Sequence, residues 1–201
     1  MENFFNLRAE KQEHIINAAL NIFGKNGYKK ASIADIAGQA GIAKGMVMYY
    51  FGSKKNLYLY LVDMCGKIMF EEMQKGLDPN VTDFFDKVRM MTNIKVSMLK
   101  RHPALMSFMT NVYYESDDDV ADDLKRILAE GIKTRQEMIL VETDTSRLRD
   151  DIDPELLDRF LVWVGEGFGT TLAKPGGMEL IDEYTEDLYK ILGIMKKYFY
   201  K

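Results

Sequence analysis

The stretch from Ser32 to Phe51 constrains this chain more than any other feature. Two short segments with apolar faces are joined there through a single glycine, Gly41. Ser32 reads as the N-cap of the first, with Asp35 three residues on in a short-armed capping box. Ile33, Ile36, Ala37 and Ala40 supply its apolar face, and the two alanines keep it slim. Gly41 permits the positive φ that a tight two-helix corner needs. Ile36, Ile42 and Val47 are then spaced to meet in the crook, and a second helix runs from about Ala43 to Tyr50. The expected product is a rigid bracket that presents one short helix outward, a size suited to the major groove of DNA. Any tightly packed helical hairpin could share the Ala/Gly pattern, so spacing alone leaves both readings open.

The rest of the chain predicts an all-α protein of about nine helices. It has four prolines and few β-branched runs, and its apolar residues recur at helical spacing. The first helix is expected from Arg8 to Lys25, with Ile15, Ala19, Ile22 and Phe23 on one face and Asn26-Gly27 as its stop. After Gly52-Ser53 a long amphipathic helix runs from Lys54 to about Lys75. Further helices are expected over 81–101, 103–115, 120–142, 154–173 and 178–199. Their breaks are Asp78-Pro79-Asn80, His102-Pro103, Ser116–Asp119, Asp153-Pro154 and Pro175-Gly176-Gly177.

Charge is distributed unevenly. The net charge of the whole chain is −4, yet residues 1–57 carry eight Lys/Arg and four acids, which leaves −8 on the remainder. A basic module on an acidic body suggests a polyanion at one end. Lys44, Gly45, Tyr49 and Tyr50 on the presented helix offer a cation, a site of close backbone approach and two phenols for phosphate oxygens. Lys54 and Lys55 open the next helix against its dipole, a locally unfavourable choice that a docked phosphate would explain.

Other chemistries fare poorly. A carboxylate-bridged di-metal bundle wants two Glu-x-x-His pairs, and His14 and His102 are the sole histidines, neither preceded by such a glutamate. Gly165–Thr171 lacks the preceding strand and the third glycine of a dinucleotide loop. Asp117–Asp119 with Asp122 and Asp123 reads as a solvated helix start rather than a metal site. No cofactor or metal is expected, and a helical-bundle enzyme is the weaker alternative. The single cysteine, Cys65, cannot form an internal disulfide, and no run of about 18 apolar residues occurs. A cytoplasmic protein without a membrane span is the expectation.

From Ala18 to Leu57 the chain resembles the N-terminal domain of TetR-type repressors. The resemblance is carried by Phe23, Gly27-Tyr28, Ser32-Ile33, Ile36-Ala37, Gly41-Ile42-Ala43-Lys44-Gly45, Tyr50-Phe51 and Lys54…Leu57. It implies a DNA-binding domain over 1–52, a helical ligand-binding and dimerisation domain over 53–201, and Ser32, Lys44, Gly45, Met46, Tyr49, Tyr50 and Lys54 facing a double-stranded operator. Two positions depart from the family pattern: Met48 stands where a tyrosine is common, and Ala43 where Ser or Thr is usual. Both remove customary phosphate partners.

The resemblance also implies a cavity in the body. Methionines and aromatics there suit a pliable apolar surface, though plain core would use the same residues. The pocket expectation names Met64, Phe85, Met90, Met98, Met106, Met109, Tyr113, Trp163 and Phe168, with a small hydrophobic effector of aromatic or acyl character. The last two helices carry wide apolar faces, with Gly165 and Gly169 four apart. The resemblance implies that they pair with their copies in a homodimer through Phe160, Val164, Gly165, Leu188, Ile191 and Met195. The expected function is a repressor released by its ligand. An architectural DNA-binding factor without an effector is the alternative.

Overall fold

The prolines and glycines mark the helix ends. In the computed structural model, which describes residues 1–140, 143–172, 174 and 176–201, ten α-helices follow in order. They are α1 (Glu2–Phe5), α2 (Ala9–Lys30), α3 (Ile33–Gln39), α4 (Lys44–Phe51), α5 (Lys54–Gly76), α6 (Phe84–Arg101), α7 (Pro103–Tyr114), α8 (Ala121–Leu140), α9 (Pro154–Leu172) and α10 (Ile181–Phe199), with a 3-10 turn at Gly177–Leu180 before the last. Pro103 and Pro154 occupy first helical positions, where a missing N–H costs nothing. Asp153 caps α9 by accepting from the backbone N–H of Glu155 at 2.9 Å. The break at Gly27 is also present: α2 continues to Lys30, but Gly27 adopts φ 68° and kinks it. The end of the helix expected over 120–142 and Pro175 fall outside the described residues.

The chain divides into two compact units, residues 1–70 with 99–130 and residues 71–98 with 131–201. The unit that contains the helix-turn-helix is thus larger than residues 1–52. Its core joins Ile15, Phe23, Ile36, Val47 and Leu61 to Phe108 and Val112 of α7. The contact between α2 and α7 is close because Gly24 has no side chain: a Cβ there would lie 3.1 Å from the backbone nitrogen of Phe108. The Gly24 carbonyl accepts from Ser107 Oγ at 3.2 Å and also from Asn111 Nδ2. Helix α1, absent from the sequence expectation, adds Phe4 to this core against Phe51 (4.8 Å between ring centroids), Tyr60 and Tyr50.

The second unit packs Phe84, Phe85 and Met91 of α6 with Leu157 and Leu161 of α9 and Leu192 and Met195 of α10. The segment between α8 and α9 is tied in by backbone bonds from Asp144 to Thr82 (2.7 Å) and from Arg149 to Phe199 (2.8 Å). Lys196 reaches Asp83 and Asp86 at 2.9 and 2.8 Å. Met195, expected on the pairing face, is buried in this unit's own core, and Leu188 packs against that core. Both lie on the inward side of α10, one helical turn from Leu192.

Replacing Gly24 with valine must push α7 away or strain α2, since the obstructing atoms are backbone. The variant is expected to lose about 1–3 kcal/mol in urea unfolding, with Ala intermediate.

Candidate nucleic-acid interface

The bracket forms as its residues require. Ser32 caps α3, its hydroxyl accepting from the Asp35 N–H at 3.1 Å and donating to the Asp35 carboxylate at 2.7 Å. Gly41 takes φ 66° at the corner, and Ile42 donates back to the Ala37 carbonyl at 3.0 Å. Ile36 and Val47 are fully buried in the crook, with Ile42 packed beside them. With Val47 and Phe51 turned inward, α4 presents Lys44, Gly45, Met46, Met48 and Tyr49 to solvent.

Gly45 has open space where a side chain would stand. Packing therefore does not demand a glycine there, and in a helix it costs about 1 kcal/mol relative to alanine. Close approach of a ligand backbone is the remaining physical reason for it. Ala43 provides no side-chain cap, so the first backbone N–H groups of α4 lack that partner. Lys44, exposed, is the first residue of that turn. This end of α4 combines an exposed lysine, a first turn without a side-chain cap and steric openness, the chemistry that suits a phosphate.

Two expected contacts are placed differently. Tyr50 is 3% exposed and packs edge-on to Phe4, whereas its neighbour Tyr49 is 62% exposed. Tyr50 is a core residue of the bracket, and Tyr49 is the phenol on display. Lys54 turns back onto the end of α2: its ammonium donates to the Tyr28 and Ala31 carbonyls at 3.0 and 3.4 Å and lies 4.2 Å from the Tyr28 ring centroid. Lys55 pairs with Asp123 at 2.9 Å, a bond that raises the lysine's pKa and lowers the aspartate's. The unfavourable lysines at the start of α5 thus have internal partners, which removes the phosphate argument made for them.

The acidic segment serves the same unit. Glu115 accepts from the backbone N–H of Tyr28 at 2.7 Å, and Asp119 accepts from the Tyr28 hydroxyl. Burial first, then Asp119, raises the Tyr28 phenol well above its ordinary value. Asp119 and Asp123 therefore anchor α2 and α5. Sequence reasoning missed these pairings because the partners lie far apart along the chain.

The residues expected to line a pocket are divided. Met64, Met106 and Met109 border the core of the first unit, and Tyr113 on the same unit is exposed. Phe85 and Met98 are buried in the second unit, and Met90 accepts from the Asp78 N–H at 3.3 Å. Trp163, expected in the pocket, is 61% exposed and shares a helix face with Phe160. It belongs to the outer side of α9, not to an enclosed cavity of one chain. Phe168 is half-buried. On the outer sides of α9 and α10 lie Leu156, Phe160, Trp163, Ile191, Ile194 and Tyr198, all exposed, opposite the buried Leu157, Leu161, Leu192 and Met195. Both helices are thus apolar on two sides, one of them already covered. Gly165 and Gly169 have open space around them.

Comparison with known proteins agrees with this geometry. Residues 15–61 match the family model for bacterial regulatory proteins of the TetR family. The chain is 22% identical over 192 residues to the HTH-type transcriptional repressor DhaR of Mycobacterium sp. (strain GP1), covering 92% of this chain and 93% of that protein. A TetR family transcriptional regulator from Chloroflexus aurantiacus J-10-FL has the same fold, with a TM-score of 0.80 at 23% identity over 100% of this chain and 98% of the other. The transcriptional regulator FadR of Bacillus subtilis, solved in complex with stearoyl-CoA, follows at a TM-score of 0.65 and 20% identity, covering 87% and 95% of the two chains. The match falls on the bracket itself, the likeness to a repressor runs the length of the chain, and the fold is shared: residues 15–61 form a TetR-family regulatory domain, in a chain with the fold of TetR-type transcriptional regulators.

Proposed function

We propose that the chain is a homodimeric repressor that α4 seats on operator DNA and that a small hydrophobic ligand in the body releases. The observation that carries the DNA half is the outward face of α4, where Lys44, Gly45, Met46 and Tyr49 stand above a buried Val47. Lys44, Tyr49 and the capless first turn contact phosphates. Met46 offers an apolar surface to a thymine methyl. Ser32 stands half-exposed at the start of α3 as a further phosphate contact.

The doubly apolar α9 and α10 support pairing. A contiguous exposed apolar surface of this kind marks an interaction site, and a second copy is its natural cover because the same face is self-complementary under a two-fold axis. A two-fold dimer presents two copies of α4, which fit successive major grooves when their centres are about 34–36 Å apart. A ligand that binds better to a dimer of different spacing draws the protein off DNA. Coupling of this kind is typically about 1–3 kcal/mol, and near-complete switching takes about 5.5. The relative solved with stearoyl-CoA supports an apolar effector.

A gel shift against the upstream DNA of its own gene, at several salt concentrations, tests the reading. Tyr49→Ala is expected to weaken specific binding roughly 10- to 100-fold, the value of a hydrogen bond to a charged group. Tyr50→Phe should leave it unchanged, and an equal loss in both variants would put the DNA face elsewhere. Lys44→Ala should lower affinity and flatten the salt dependence by about one unit of slope. Trp163→Glu should yield monomers in sedimentation and lose operator affinity in parallel. An apolar compound that binds tightly yet leaves DNA affinity untouched would favour the architectural alternative.

A further inference from the structure

Helix α4 has to hold its outward side chains steady, yet it is only eight residues, about 12 Å, long. Its first end is fixed by the corner, where Ile42 donates to the Ala37 carbonyl and Val47 fills the crook. Its last end runs into Gly52, whose φ of 77° turns the chain into α5. A glycine joint is permissive, so the angle of α4 at this end is left to side-chain packing.

That packing comes from outside the bracket. The ring of Phe4, 1% exposed, lies 4.8 Å from Phe51 of α4 and 6.0 Å from Tyr60 of α5, centroid to centroid, and those two are 5.7 Å apart. The three rings close a triangle across the Gly52 joint, with Tyr50 edge-on to Phe4 at 6.2 Å. Four residues make too short a helix to persist unaided. Helix α1 is pinned from α2 instead: the Gln12 side-chain amide donates to the Phe5 and Leu7 carbonyls at 3.2 and 2.9 Å. Leu7 packs against the same core. The chemistry of α1 does not suit a phosphate, since Glu2–Phe5 carries no lysine or arginine and its one charged side chain is the exposed carboxylate of Glu2.

We propose that Phe4 is a positioning residue for operator recognition: α1 clasps the end of α4 and sets its angle on the groove without touching DNA. The proposal rests on the reading of α4 as the helix that contacts the operator. Removing the ring leaves the corner and Val47 in place, so α4 still forms but turns about the Gly52 joint. Phosphate attraction is only weakly directional and tolerates such a turn, whereas the base contacts that specify sequence do not.

Fluorescence anisotropy of the full-length protein tests it, with a duplex that the wild type selects from a random pool and a scrambled duplex of equal length. Phe4→Ala should bind the selected duplex roughly tenfold more weakly, about the effect of one mismatched base pair. It should bind the scrambled duplex as the wild type does, with an unchanged salt slope. Phe4→Leu, which keeps most of the apolar volume, should recover most of the loss. Gln12→Ala, which frees α1 without opening the core, should show part of it, and Phe5→Ala, on the exposed side of α1, should stay near wild type. Equal loss on both duplexes would mark general destabilisation. A shallower salt slope, or as large a loss in Phe5→Ala, would put α1 on the DNA itself. Wild-type discrimination by Phe4→Ala would make α1 idle, and each of these results overturns the proposal. Should Phe4→Ala fail to fold, Gln12→Ala decides by the same ratio. A wild type that selects no sequence from the pool removes the DNA reading, and the proposal with it.

Discussion

The core that carries the helix-turn-helix is built around three aromatic contacts, the T-shaped packing of Tyr58 against Phe23, Tyr28 and Phe108. Its ring lies 4.9, 5.0 and 5.2 Å from theirs. These four rings come from α2, its kinked end, α5 and α7. They therefore join the support of the bracket to a segment that begins at residue 99. Rings packed in this way resist sliding, because each edge-to-face pair has a preferred direction. Gly24 lets α7 come near enough for Phe108 to reach the cluster.

Around this cluster, charges are arranged to hold helix ends. Lys54 satisfies carbonyls at the end of α2, Lys55 holds Asp123, and Glu115 with Asp119 holds Tyr28. Each pair is partly exposed and worth little alone. Together they converge on the kink at Gly27, where the backbone would otherwise be left without helical partners. The basic excess of the N-terminal segment is therefore only partly available to DNA, and the acidic body begins by neutralising some of it.

Much of the fold was legible because proline, glycine and capping residues punctuate it locally. Ser32, Gly41, Pro103 and Pro154 act within a few residues of themselves, so sequence proximity suffices to read them. Helix α1 escaped because four residues display no period, leaving Phe4 as the sole sign of it. Tyr49 and Tyr50 could not be ranked from the pattern, since α4 spans barely two turns and is apolar nearly all round. Trp163 went to the pocket because a large aromatic reads as interior, while the structure gives α9 a second apolar side. Arg135 and Asp158 pair from two different helices, and no local rule brings them together.

The composition of the first unit has a consequence for modularity. Its core is assembled from two separate stretches of chain, with Leu105, Phe108, Val112, Val120 and Leu124 packed among residues of the first seventy. A fragment ending after the helix-turn-helix would leave Phe23 and Ile15 facing water where α7 had been. The reading head of this regulator cannot be cut free and grafted as a cassette. Any change on the surface of the bracket must then be made with this scaffold inherited whole.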